Sequence, residues 1–143
     1  MDKKQIRKIM KGQRAKVSKD EVLGYSSIIW DKIYSMTSFK SAATLLLYSS
    51  IGNEVDTEEI ARKALSMGKR IGYPVTDSGD NTMEFHAVND LNELLPIKTG
   101  NFSLLEPKAD PSSKIIPDAD TLMIVPGLAF DKDLYRTGYG GGF

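Results

Sequence analysis

Arg136, Gly138, Gly140 and Gly142 occupy alternate positions in Arg136-Thr137-Gly138-Tyr139-Gly140-Gly141-Gly142-Phe143, a few residues after Pro126-Gly127-Leu128-Ala129-Phe130-Asp131. Alternating glycines let successive backbone N–H groups come close to an anion, and a guanidinium adds a planar fork for phosphate oxygens. At the other end of the sequence, Lys3, Arg7, Lys11 and Arg14 fall within about 80° of one another on a helical wheel and form one cationic stripe. Two basic segments of this kind suit one polyanion held between them. Each has a plainer reading when taken alone. A glycine run near a terminus reads first as a flexible tail, and a lysine-rich helix face as a solvated surface or a site for nucleic acid or acidic lipid. Residues 1–20 contain no Phe or Tyr, so no stacking platform interleaves the charges as RNA binding would require.

Composition narrows the chemistry further. The 143 residues contain no cysteine, which excludes a disulfide framework, a thiolate nucleophile, a zinc finger and an iron–sulfur cluster. His86 is the single histidine, so no multi-histidine metal site exists and at most one imidazole is available for acid/base work. No covalent nucleophile, general base or metal ligand is assigned from the residues. The formal net charge is zero, yet residues 1–20 carry +6 and the remainder −6, a basic arm on an acidic body. The longest apolar run, Ala42 to Tyr48, is too short to span a bilayer, and no apolar stretch follows the lysine-rich start. A single cytoplasmic domain over residues 1–143, with no signal peptide and no membrane partner, is expected.

These groups need a scaffold, and the pattern supplies one. Residues 3–16 read as an amphipathic helix with Ile6, Ile9 and Met10 on its apolar side. Ser18 with Glu21 is a capping box opening a second helix to about Met36, with Trp30 in phase with its core face. Ala42 to Tyr48, bounded by serines and Gly52-Asn53, fits a strand buried on both faces. Asp56 or Thr57 caps a third helix carrying Glu58 and Glu59 in its first turn and ending before Gly68. Arg70 to Pro74, Met83 to Val88 and Thr121 to Val125 read as further strands, with a polar, proline-punctuated stretch between Lys108 and Asp120. The order predicts an α/β layered domain with a largely parallel sheet, whose ligand side is the carboxyl end of the strands. His86 reads as a hydrogen-bonded or surface residue. Phe102 reads as core, with stacking on a flat ring as the other role. Asp56 serves equally well as a helix cap and as a ligand contact.

Taken together, Lys3-Lys4-Gln5-Ile6-Arg7, Glu54-Val55-Asp56-Thr57, Gly68-Lys69 before a strand ending in Pro74, Glu106-Pro107, Pro126 to Phe130 with Asp131, and the Arg136-x-Gly-x-Gly-x-Gly motif resemble the 5-formyltetrahydrofolate cyclo-ligase family in order along the chain. The closing motif is the specific one. Thr137 stands where leucine is usual, and Phe143 where the first of two tyrosines is usual.

The resemblance implies a three-layer α/β/α sandwich, sugar-isomerase-like, with a mostly parallel sheet. It also implies conversion of 5-formyltetrahydrofolate to 5,10-methenyltetrahydrofolate with ATP and Mg2+. By position, Lys3, Lys4, Arg7, Arg136, Gly138, Gly140 and Gly142 match ATP contacts. Ile51, Asp56, Tyr139, Gly140, Gly141, Gly142 and Phe143 match folate contacts. In the family the glycine motif runs on into a second tyrosine, a magnesium-holding aspartate, a helix and further strands, so a form lacking the C-terminal part is expected. The readings from other classes are a non-catalytic nucleotide- or RNA-binding module using the basic helix, and an inactive truncated remnant of the enzyme. The residues suit the implied reaction. Turning a formamide oxygen into a leaving group by phosphorylation calls for charge neutralisation and positioning more than for a side-chain nucleophile.

Overall fold

A computed structural model describes residues 1–77, 79–99 and 102–141. The helix starts follow from their caps. Asp2 and Gln5 form a reciprocal capping box that opens α1 (Lys3–Arg14), and Ser18 and Glu21 form the expected one that opens α2 (Lys19–Ser35). A single turn, α3 (Thr37–Ser41), feeds β1 (Thr44–Leu46). The next helix, α4 (Glu58–Ser66), begins at Thr57, whose side chain does not cap it; instead Asp56 accepts from the Glu58 N–H at 2.9 Å. Then follow β2 (Arg70–Asp77), β3 (Thr82–Val88), β4 (Leu95–Thr99), β5 (Phe102–Glu106), β6 (Lys114–Ile115), β7 (Thr121–Met123), β8 (Ala129–Phe130) and β9 (Arg136–Thr137). Among the described residues no helix is long and apolar enough to cross a membrane.

The main sheet has the order β6-β3-β2-β1-β7. It is mixed, which corrects the expected mostly parallel sheet: β1 pairs in parallel with β2 and with β7, whereas β3 runs antiparallel to both β2 and β6. Only residues 78–81 separate β2 from β3, and a parallel connection needs roughly a dozen or more residues to cross over. The sequence reading also missed the β4–β5 hairpin and the β8–β9 ribbon.

Alternation along the strands sends Leu45, Leu47, Ile71, Tyr73 and Val88 to one face. There they form the core with Phe39 of α3 and with Ile60, Ala61 and Ala64 of α4, while Trp30, Ile33 and Tyr34 of α2 pack on its margin. Trp30 is thus half-buried at the core edge, and its indole N–H donates to the Asp56 carbonyl at 2.6 Å. Lys69, buried just before β2, lies over the Phe39 ring and donates to the carbonyls of Lys40 and Ala42, so its charge is met by carbonyls at the end of α3. His86 is buried, and its Nδ1 lies 3.1 Å from the Asp110 carbonyl and 3.0 Å from Ser113 Oγ. It pins the polar 108–115 segment to β3, in line with the hydrogen-bonded role expected of it.

On the opposite face, Leu46, Gly72 and Ile115 meet. A Cβ on Gly72 would stand 2.5 Å from Ile115 Cδ1 and 3.0 Å from Leu46 Cδ2, and both of those side chains are buried. Gly72 lets β6 close on the sheet. Gly72→Val is therefore expected to lower stability by about 1–3 kcal/mol through overpacking, measured by urea denaturation, with Gly72→Ala showing the smaller effect of the two.

Candidate functional site

The loops that follow β1 and β7 leave the sheet at its carboxyl end, side by side because the two strands are neighbours. Arg14, on the last turn of α1, holds both of them. Its Nη1 donates to the Gly127 carbonyl and its Nη2 to the Asn53 carbonyl, each at 2.9 Å. Asn53 returns the contact by donating to the carbonyls of Arg14 and Val17. This fixes α1 across the rim and brings two further members of its cationic stripe to the glycine segment. Arg7 Nε donates to the Gly138 carbonyl at 2.9 Å, and Lys11 Nζ lies 5.8 Å from the centre of the Tyr139 ring.

Gly140 has φ +100°, and a Cβ there would stand 3.3 Å from the Arg7 guanidinium carbon, so both the backbone conformation and the close approach call for glycine. Arg136 reaches the same place from β9, donating to the Pro126 carbonyl at 2.8 Å, and a Cβ on Gly138 would meet its Nη1 at 3.1 Å. Arg7, Arg136, Gly138, Tyr139 and Gly140 are thus gathered at one place. Lys3 and Lys4 are exposed on the first turn of α1 and make no hydrogen bond or ion pair among the described residues, and Gly141 is exposed. Gly142, Phe143 and the Phe102 side chain, named above as candidates, lie outside the described residues.

Beside this cluster lies an apolar slot of ≈ 150 Å³ whose walls include Tyr48, Ile51, Pro74, Met83 and Leu104, with Glu54 and Glu106 also lining it. Ile51 lines the slot from the loop that follows β1. Asp56, from the same loop, borders a neighbouring cavity of ≈ 220 Å³ with Ser50, Thr57, Glu58 and Arg62, and its Oδ1 accepts from the Glu58 N–H.

The carboxylate facing the slot from this loop is Glu54, which sequence reasoning missed although it heads the Glu54-Val55-Asp56-Thr57 motif. It accepts from the Ile51 N–H at 2.9 Å, is 8% exposed, and has the Tyr139 hydroxyl beside it. Burial pushes its carboxyl pKa up, against the opposing pull of the Ile51 N–H and the Arg14 charge. Burial, with Glu54 nearby, also pushes up the phenols of Tyr48 and Tyr139, so both rings stay neutral donors at physiological pH.

A carboxyl group whose pKa is raised by folding contributes stability that is whole below its unfolded value and is lost as pH rises through its folded value. Glu54→Gln keeps an acceptor for Ile51 and removes the charge. The variant is expected to melt above the wild type at pH 7, with the difference vanishing near pH 4, as followed by thermal denaturation across that range.

The chain matches the model of the 5-formyltetrahydrofolate cyclo-ligase family over residues 1–143. It is 30% identical to a probable 5-formyltetrahydrofolate cyclo-ligase of Caenorhabditis elegans, over 99% of this chain and 69% of that one. It is 31% identical to the probable enzyme of the same name from Schizosaccharomyces pombe, over 100% of this chain and 70% of that one. The solved structure of Aquifex aeolicus 5,10-methenyltetrahydrofolate synthetase superimposes with a TM-score of 0.79 at 27% identity, covering 98% of this chain and 68% of that one. The Mycoplasma pneumoniae synthetase shares the fold at a TM-score of 0.73 and 23% identity, covering 100% of this chain and 74% of that one. With fold, motif order and an end-to-end family match in agreement, the chain belongs to the 5-formyltetrahydrofolate cyclo-ligase family.

Proposed function

We propose that the chain binds ATP at the junction of α1 with the glycine segment and 5-formyltetrahydrofolate in the adjoining slot, and that it makes 5,10-methenyltetrahydrofolate from them in the cytoplasm. The observation that carries the reading is the meeting of Arg7 with Gly138 and Gly140, two cationic or anion-accepting segments from opposite ends of the sequence. The reaction is written in two steps. The γ-phosphoryl group of ATP passes to the oxygen of the N5-formyl group, and ADP departs. The folate N10 nitrogen then attacks the formyl carbon and gives up its proton, the C–O bond breaks, and phosphate leaves with the electron pair of that bond as the five-membered ring closes.

The chain's residues contribute positioning and charge. Arg7 and Arg136 hold phosphate oxygens and stabilise the charge spread over the transferring group, the largest catalytic contribution expected where no covalent chemistry is asked of the protein. Tyr139, between the glycine segment and Glu54, stands where nucleotide and folate meet and offers a neutral hydroxyl as donor. Glu54 faces the slot next to the reacting end and, with its raised pKa, can hold a proton there. Among the described residues no three His, Asp or Glu side chains gather into a metal site, so these residues do not fit a magnesium cage. Magnesium is proposed to come with the nucleotide, where it neutralises phosphate charge.

The reading of the basic helix as a nucleic-acid surface has less support, because residues 1–20 carry no Phe or Tyr on which bases could stack and Arg14 is spent on the carbonyls of Asn53 and Gly127.

Arg7→Ala and Arg136→Ala are each expected to weaken ATP binding by about 1.5–3 kcal/mol, the range for hydrogen bonds to charged groups, while leaving 5-formyltetrahydrofolate affinity in place. Calorimetric titration of the purified chain with each ligand checks this. Unchanged nucleotide affinity in both variants removes the assignment.

A further inference from the structure

Glu106, at the end of β5, is 7% exposed at the edge of an apolar slot. The Thr76 hydroxyl donates to one of its oxygens at 3.1 Å, and among the described residues no other hydrogen-bond donor and no basic side chain reaches it. A carboxylate accepts about four hydrogen bonds, and among the described residues the protein's own side chains meet only part of that capacity at Glu106. Such a group makes sense where a ligand supplies the missing donors. Pairing across the β4–β5 hairpin, Leu95 with Glu106, fixes the backbone that carries it, so the carboxylate is presented from a rigid element.

Its position along the slot is as informative as its burial. The slot follows the carboxyl rim of the sheet. Glu54 stands at the end next to Arg14 and Tyr139, whereas Glu106 is bonded to Thr76 of β2 and shares its end with Met83 of β3. The neighbouring strand order places these ends on opposite sides of β1. A folate ring is asymmetric in the matching sense. One edge of the pterin presents two adjacent N–H donors, the ring N3–H and the 2-amino group, a fork that fits the two oxygens of a carboxylate. The N5 nitrogen with its formyl group lies across the bicycle from that edge. Since the phosphoryl donor must approach from the glycine segment, N5 belongs at the Glu54 end and the donor fork at the other.

We propose that Glu106, held by Thr76, reads the N3–H and 2-amino edge of the pterin and so sets the direction in which the folate lies. This rests on the folate reading of the slot and adds to it a specificity-determining residue. Glu106 does no chemistry on the formyl group; it selects a 2-amino-4-oxo ring and orients N5 toward the nucleotide.

The test is a cycle of two ligands and two proteins. Binding of 5-formyltetrahydrofolate, and of its analogue with the 2-amino group replaced by methyl, is measured by titration for the wild type and for Glu106→Gln, with ATP affinity as a check on folding. The wild type is expected to bind the analogue about 10- to 100-fold more weakly than the parent. Glu106→Gln should lose a similar factor for the parent and little further for the analogue, with ATP affinity unchanged. Equal losses for both ligands, or none for either, overturn the proposal while leaving the slot a folate site. Failure of the wild type to bind 5-formyltetrahydrofolate at all overturns the folate reading and this proposal with it. Should Glu106→Gln not fold, Thr76→Val makes the same comparison. A loss of about threefold or more confined to the parent ligand supports the assignment, and an equal effect on both ligands refutes it.

Discussion

One guanidinium joins what the sequence keeps apart. Arg14 bridges the carbonyls of Asn53 and Gly127, and through them the loop after β1, the loop after β7 and the end of α1 become one unit. A planar fork donates in two fixed directions, and so sets the spacing of the two loops more tightly than an ammonium group on a flexible stem would. Everything else at the rim depends on that fixing. Arg7 and Lys11 lie at Gly138 and Tyr139 because they are respectively two turns and one turn before Arg14 on the same face of α1. The cationic stripe is therefore partly structural: its last member builds the site that its earlier members line.

The site divides its tasks between parts of different stiffness. The slot walls come from the sheet and from the β4–β5 hairpin, whose backbones are held by ladders of hydrogen bonds, and they suit a flat ring that must be held in one plane. The glycine segment is backbone and loop, with the two-residue ribbon β8–β9 behind it, and suits phosphates, which are recognised by N–H groups more than by shape. The buried carboxyl of Glu54, pushed up by burial, is a cost to the isolated fold at neutral pH, as expected of a group kept for binding instead of for stability.

Much of this was legible in the sequence where local rules decide the outcome. The Ser18/Glu21 box, the apolar run at Leu45 to Leu47 and the helix starting at Glu58 depend on neighbours in the chain, and the structure has them. The reversal of β3 was legible too, since the expected strands Arg70 to Pro74 and Met83 to Val88 leave only residues 75–82 between them, too few for a parallel crossover. The β4–β5 hairpin was also announced locally, since Gly100-Asn101 between two strand-like runs is a two-residue hairpin signal. Glu54 is a different case. Asp56 obeys a local capping rule, whereas the Arg14 charge and the Tyr139 hydroxyl beside Glu54 come from the two ends of the chain and leave no mark in the residues around it. Trp30 was placed correctly in the core face, but its bond to the Asp56 carbonyl, which ties α2 to the start of α4, is a tertiary contact that periodicity cannot express.

The pairing of β1 with β7 carries a consequence for how the protein is made. β1 sits between β2 and β7, and β7 is encoded far downstream of both. During synthesis at about 5–20 residues per second, β2 can dock as soon as it leaves the ribosome, but the other edge of β1 waits several seconds more for its partner. Through that interval the nascent chain presents a bare strand edge carrying Leu45 and Leu46, the kind of template on which neighbouring nascent chains pair. The pause between the two dockings is therefore the stage at which molecular chaperones have most to shield, and slow codons placed before Thr121 would lengthen that exposure.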